Sequence, residues 1–263
     1  LTDVTGVQTC ALPIYAFFQA LLNPDNPKYE QGFETLASYG IPFVRFLGGP
    51  FWTPEYKLYL EDKDRYFEVF DGVVKSAERH HIGLIPSLFW NYHAVPDLVK
   101  EPVSAWGNPR SKTIRFMRQY TKEVITRYHK SPAIWGWEFG NEYNLMADLP
   151  NAAEHRPTTA PELGAPPTRS ELDDLTHEAI RTAFFEFAKE VRRHDPWRMI
   201  GTGSGFPRQS AWHQWTELSW EGDTRHQYID MLIGDNPDPV DTLSAHLYPD
   251  RKSTRLNSSH VSQ

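Results

Sequence analysis

The chain has 263 residues, 40% of them hydrophobic and 14% aromatic, so it can bury a large core, and no run is long and apolar enough to span a bilayer. Its formal charge of −7 argues against a nucleic-acid surface, which needs clustered Lys and Arg. One soluble globular domain with neutral or weakly charged partners is expected.

In chain order, the opening "LTDVTGVQTCALPI" comes first, and like the closing "RKSTRLNSSHVSQ" it resembles translated sequencing-adapter read-through. Residues 1–13 and 251–263 are therefore expected to be non-native segments that pack little, flanking a folded domain over 14–250. Cys10, the only cysteine, falls in the first of them, so disulfides are not expected and thiol usage says nothing about compartment.

"YAFFQALL" (15–22) reads as the remnant of a first strand. Five further runs follow: "IPFVRFLGG" (41–49), "IGLIPSLFW" (82–90), "AIWGWEFGN" (133–141), "MIGTGSG" (199–205) and "DTLSAHLYP" (241–249). Their nearly continuous apolar character suits parallel strands covered on both faces. The segments between them carry the helical period. Tyr66, Phe70, Val73, Val74 and Ala77 form one face; Ile114, Met117, Tyr120, Val124, Ile125 and Tyr128 a second; Leu172, Leu175, Ala179, Ala183, Phe187 and Val191 a third. Ser170 with Asp173 reads as a capping box for the third helix, and Ser131-Pro132 and Asp195-Pro196 as helix stops. His80-His81, closing the first helix, reads as a favourable dipole contact and not as a metal site.

Strand and helix alternating in this way imply βα units, in either a closed (β/α)8 TIM barrel or an open doubly wound sheet. No Gly-rich phosphate loop of Rossmann or Walker type follows a strand, which favours the barrel. About six of its eight units are counted, so the α/β barrel is expected to be incomplete. Barrel chemistry sits at the C-terminal strand ends. Reading the last polar residues there gives Arg45, Asn91 or His93, Asn141 with Glu142, and His246 with Tyr248.

At these residues the sequence resembles a known family. "RYHKSPAIWGWEFGNEYN" is similar to the fourth strand of clan A glycoside hydrolases, which ends in Asn-Glu; "DTLSAHLYPD" is similar to the His-x-Tyr sixth strand of glycoside hydrolase family 5; Arg45 in "FVRF" falls where that family carries an arginine. Together these motifs cover most of 15–250 and resemble the cellulases and endo-mannanases of the family. The resemblance implies a retaining hydrolase of β-mannan or β-glucan that needs no cofactor or metal, takes a polysaccharide or oligosaccharide as its partner, works as a monomer and is secreted or periplasmic.

By that resemblance Glu142 is the general acid/base, Asn141 bonds the sugar 2-hydroxyl, Tyr248 orients the nucleophile and His246 lines the donor subsite. Arg45, Trp90 and His93 complete the substrate-binding set. A retaining enzyme also needs a nucleophilic carboxylate about 5–5.5 Å from the acid/base. Glu138 does not qualify: four strand residues put it about 13 Å away, and it is expected to be a buried carboxylate paired with Arg45. The family places the nucleophile after a seventh strand, and none is expected in this chain; Glu217, Glu221 and Asp223 precede strand six and are not promoted.

Trp52, Trp90, Trp106 and Trp212 lie near strand ends, where aromatic faces can stack on sugars, and the Pro-rich stretch 146–170 is expected to wall one side of the cleft. Two other readings stay open: a barrel that binds carbohydrate without hydrolysing it, and another clan A enzyme of β-galactosidase or β-glucuronidase type.

Overall fold

The computed structural model describes residues 20–21, 28–244, 246, 248–249 and 256–257. Four parallel strands form one sheet in the order β1 (Phe43–Leu47), β2 (Gly83–Phe89), β3 (Gly136–Gly140), β4 (Met199–Gly201). Its register pairs Leu47 with Ser87, Ser87 with Glu138 and Glu138 with Gly201, which sets these four residues at one level and Arg45, paired with Ile85, two residues below it. Every residue of β3 is buried, as a strand covered on both faces requires.

Helices connect the strands: α1 (Tyr29–Ser38) before β1, α2 (Tyr56–Glu61) and α3 (Lys63–His80) before β2, α4 (Ala94–Val99) and α5 (Lys112–Tyr128) before β3, and α6 (His177–His194) before β4. Two more, α7 (Ala211–Glu217) and α8 (Arg225–Gly234), follow β4. Side chains start the long helices. Asp62 accepts from Arg65 N at 3.0 Å, Ser111 from Ile114 N at 3.0 Å and Thr176 from Ala179 N at 3.1 Å, each satisfying a first-turn N–H. The expected faces of α3 and α5 are buried at all eleven named positions.

The third helix differs from expectation. The Ser170–Asp173 box caps a 3-10 turn (Glu171–Asp173), Leu172 is exposed, and α6 starts at His177 with Thr176 as its cap. Apolar spacing ran on through the turn because Leu175 is also buried, although it precedes the helix.

The strand count is corrected too. Ala20 and Leu21 are helical, so the "YAFFQALL" strand does not extend through its end, and the rest of that run is outside the described residues. The 199–205 strand stops at Gly201. Among the described residues, the 241–249 run meets the sheet through a parallel bridge from Thr242 to Gly201, beside which Ile200 N donates to Asp241 Oδ1 at 2.8 Å. Tyr248–Pro249 (β5) instead pairs antiparallel with Leu256–Asn257 (β6), because the extended backbone there meets the closing segment and not β4. Among the described residues there are thus four parallel strands with two isolated parallel bridges, Leu84 to Ile134 and Gly201 to Thr242, as an incomplete barrel requires. Residues 1–13 and the rest of 251–263 lie outside the described residues.

An aromatic core sits between sheet and helices. Phe89, Trp106, Phe139, Tyr143 and Phe184 meet edge to face with ring centroids 5.1–6.3 Å apart.

Candidate active site

The strand ends form the site from the bottom up. Deepest is Glu138, within β3 and almost fully buried, which accepts from Arg45 Nε and Ser87 Oγ. Burial raises its carboxyl above the ordinary 4.5, and the Arg45 charge opposes that rise. The expected structural pair is therefore present.

Arg45 reaches up from β1 and gathers the end of β3. Nη2 donates to Gly140 O at 2.7 Å, Nη1 donates to Asn141 Oδ1 at 3.0 Å, and the guanidinium lies 4.3 Å from the centroid of the Trp90 ring. One fork thus fixes the orientation of Asn141 and covers one face of Trp90, leaving the half-buried indole at the sheet's mouth.

Glu142 follows with φ 54°, a left-handed conformation unusual for glutamate. Its N–H donates to Gly203 O at 2.9 Å, and Gly140 N donates to Thr202 O at 3.2 Å, so the chain beyond β4 holds this turn. Gly203 has φ +73°, and a Cβ there would overlap the Gly140 carbonyl oxygen, so glycine is required. Above the turn, His246 Nδ1 donates to Glu142 Oε1 at 2.7 Å. That bond, opposed by burial and aided by the charges of His246 and Arg45, holds the Glu142 carboxyl below its ordinary 4.5. His246 Nε2 is buried with no hydrogen-bond partner among the described residues.

Arg45, Trp90, Asn141, Glu142 and His246 are therefore brought to the same end of the sheet. The backbone of Tyr248 lies in β5; its side chain is outside what is described. His93 is buried; its Nδ1 contacts Asp97 Oδ2 at 2.9 Å, and its ring lies 5.8 Å from that of Trp52. Asp97 also takes a two-pronged contact from Arg169 at 2.7 and 2.8 Å, and Arg169 Nη1 reaches Asp173 at 3.3 Å. This network ties the far end of the Pro-rich stretch to α4.

Trp106 is a correction. It is fully buried, donates Nε1–H to Tyr92 O at 2.7 Å and packs on Phe89 and Phe139, so it is core and cannot stack on a ligand. Asp223 is likewise structural, accepting from Trp212 N at 2.9 Å and His213 N at 3.2 Å. His80 pairs with Glu30 of α1 at 2.8 Å. Sequence reasoning missed Ser87, Asp97, Arg169 and Gly203; only Gly203, inside "GTGSG", carried a signal, since a glycine beside a strand end marks close backbone approach. A groove of about 420 Å³ between α3 and α5, lined by Asp71, Glu78, Arg127 and Tyr128 among others, contains no strand-end residue and is not this site.

No protein-family model matches the chain. Probable mannan endo-1,4-beta-mannosidase A of Aspergillus clavatus is 40% identical over 78 residues, which is 27% of this chain and 22% of that protein. Probable mannan endo-1,4-beta-mannosidase C of Aspergillus terreus is 31% identical over 97 residues, 33% of this chain and 24% of that protein. The matched region is thus under a quarter of each of these curated relatives. The endo-1,4-beta-D-mannanase of Thermotoga petrophila RKU-1 superposes with a TM-score of 0.56 at 16% identity, covering 88% of this chain and 66% of that one. The chain has the α/β architecture of an incomplete (β/α)8 barrel, with the parallel sheet described above, and part of its sequence is similar to the mannan endo-1,4-beta-mannosidases named here.

Proposed function

We propose that the whole protein is a retaining endo-β-mannanase in which Glu142 is the general acid/base. The observation that carries this reading is the convergence of Glu142, His246, Asn141 and Arg45 at the C-terminal end of β3, each side chain held by another. Glu142 would protonate the leaving glycosidic oxygen and then activate water; Asn141, its carbonyl oxygen engaged by Arg45, would turn its amide N–H groups toward the sugar 2-hydroxyl. Trp90, with one face on Arg45, offers its free surface to a pyranose ring, as does half-buried Trp52.

A proton donor should have a raised pKa, and Glu142 has a lowered one. The reaction supplies the missing influence: a nucleophilic carboxylate about 5 Å away repels the Glu142 charge and pushes its pKa up. On the family resemblance that carboxylate ends the seventh strand, beyond Tyr248. The free His246 Nε2 offers a donor or acceptor to it or to a sugar hydroxyl.

The likeness to mannosidases favours mannan over glucan. Reducing-sugar release from mannan and carboxymethyl cellulose tests this with the full-length protein and its Glu142→Gln variant. Mannan hydrolysis reduced by about 10²–10⁴ in the variant is expected, because an amide donates no proton to the leaving oxygen. Mannan binding without hydrolysis by the full-length protein would establish the non-catalytic reading instead.

A further inference from the structure

We propose that His213, Glu217 and Glu221 form a zinc site on the segment after β4, separate from the strand-end cleft. A ring nitrogen of His213 and one oxygen from each glutamate lie within 4.8 Å of one another. His213 and Glu217 are four residues apart on α7, so they share a helix face. The chain then reverses at Leu218 (φ 50°) and returns Glu221 to the same point.

The imidazole is prepared for a metal. His213 is 92% buried, which fixes its ring, and its Nδ1 donates to Asp223 Oδ1 at 2.8 Å. Asp223 is itself held by the backbone N–H groups of Trp212 and His213, and its side chain is 1% exposed. Nε2, by contrast, has no hydrogen-bond or ion-pair partner among the described residues. A carboxylate on one ring nitrogen orients the histidine and raises the basicity of the other, the arrangement that zinc-binding histidines share.

The donor set selects the ion. One neutral imidazole with two carboxylates suits zinc, which leaves a fourth position for solvent, whereas calcium takes oxygen ligands only. Tetrahedral zinc needs its donors about 3.4 Å apart. The exposed glutamates close that gap by rotamer changes, while the buried imidazole stays fixed. Binding would pin the turn at 218–222, whose Trp220 ring lies 6.0 Å from the Arg208 guanidinium; Arg208 in turn donates to Leu145 O at 2.8 and 3.0 Å, just beyond Glu142.

The test is competition for Zn²⁺ between the chelator-stripped protein and a chromophoric indicator, with thermal melts alongside. Wild type should withdraw one equivalent of Zn²⁺ and gain melting temperature. Glu217→Gln and Glu221→Gln, at exposed positions where folding is not at risk, should each bind at least tenfold more weakly, and the double variant should show neither effect. Asp223→Asn should lose about 10–100-fold. Equal withdrawal by wild type and the double variant, no withdrawal by wild type, or calcium binding as tight as zinc would overturn the proposal.

Discussion

His246 Nδ1 lies 2.7 Å from Glu142 Oε1, joining residues 104 positions apart. The pairing holds Glu142 below its ordinary 4.5, so its contribution to stability is present above pH 4.5 and is lost as the pH falls through the lowered value. His246→Ala should therefore raise the Glu142 pKa, and the stability difference from wild type should shrink on acidification below 4.5. Carboxyl-carbon NMR titration reads the shift directly; an unchanged Glu142 titration would remove the pairing as its cause.

Arg45 neutralises buried Glu138 and also holds Gly140 and Asn141. Arg45→Ala strands that carboxylate and should cost about 3–5 kcal/mol in urea unfolding at pH 7. Because burial already raises the Glu138 pKa, the stranded group is cheaper to bury when protonated. The penalty should thus diminish as the pH is lowered towards 4.5. A penalty independent of pH would mean that lost packing, not the charge, sets it.

Two tryptophans that look alike in sequence should behave oppositely. Trp106→Ala empties a fully buried site and should cost about 3–5 kcal/mol of stability. Trp90→Ala, at the mouth against Arg45, should cost less stability and weaken binding of manno-oligosaccharides to the full-length protein. Calorimetry for the first and isothermal titration for the second separate the roles; equal destabilisation by both would place Trp90 in the core as well.

Arg169 joins the end of the Pro-rich stretch to Asp97, and both side chains are nearly inaccessible. Arg169→Ala leaves Asp97 with only His93 for charge compensation, and a loss of about 3 kcal/mol is expected. The stretch at 146–170 should then be cut first in limited proteolysis, with α4 intact. Unaltered cleavage there would show that other contacts hold this stretch.

The sequence by itself determined the layer architecture and the level of the site. The helical period buried α3 and α5 on the expected faces, and the apolar runs became β1 to β3, because local periodicity decides which face a covered element presents. The end of "IWGWEFGNEYN" marked the mouth, since carboxamide and carboxylate after a buried strand must emerge where partners exist. The Arg45–Glu138 pair was legible for the same reason: a carboxylate inside a buried strand needs a cation. What the tertiary structure alone decided lies in segments with weak periodicity. Trp106 is core and Trp90 is not; Asp97 meets Arg169 across 72 positions; Thr242 bridges to Gly201 at the start of the 241–249 run. Each outcome depends on which distant segment arrives beside it, and hydrogen-bond partners supplied from afar leave no local pattern to read.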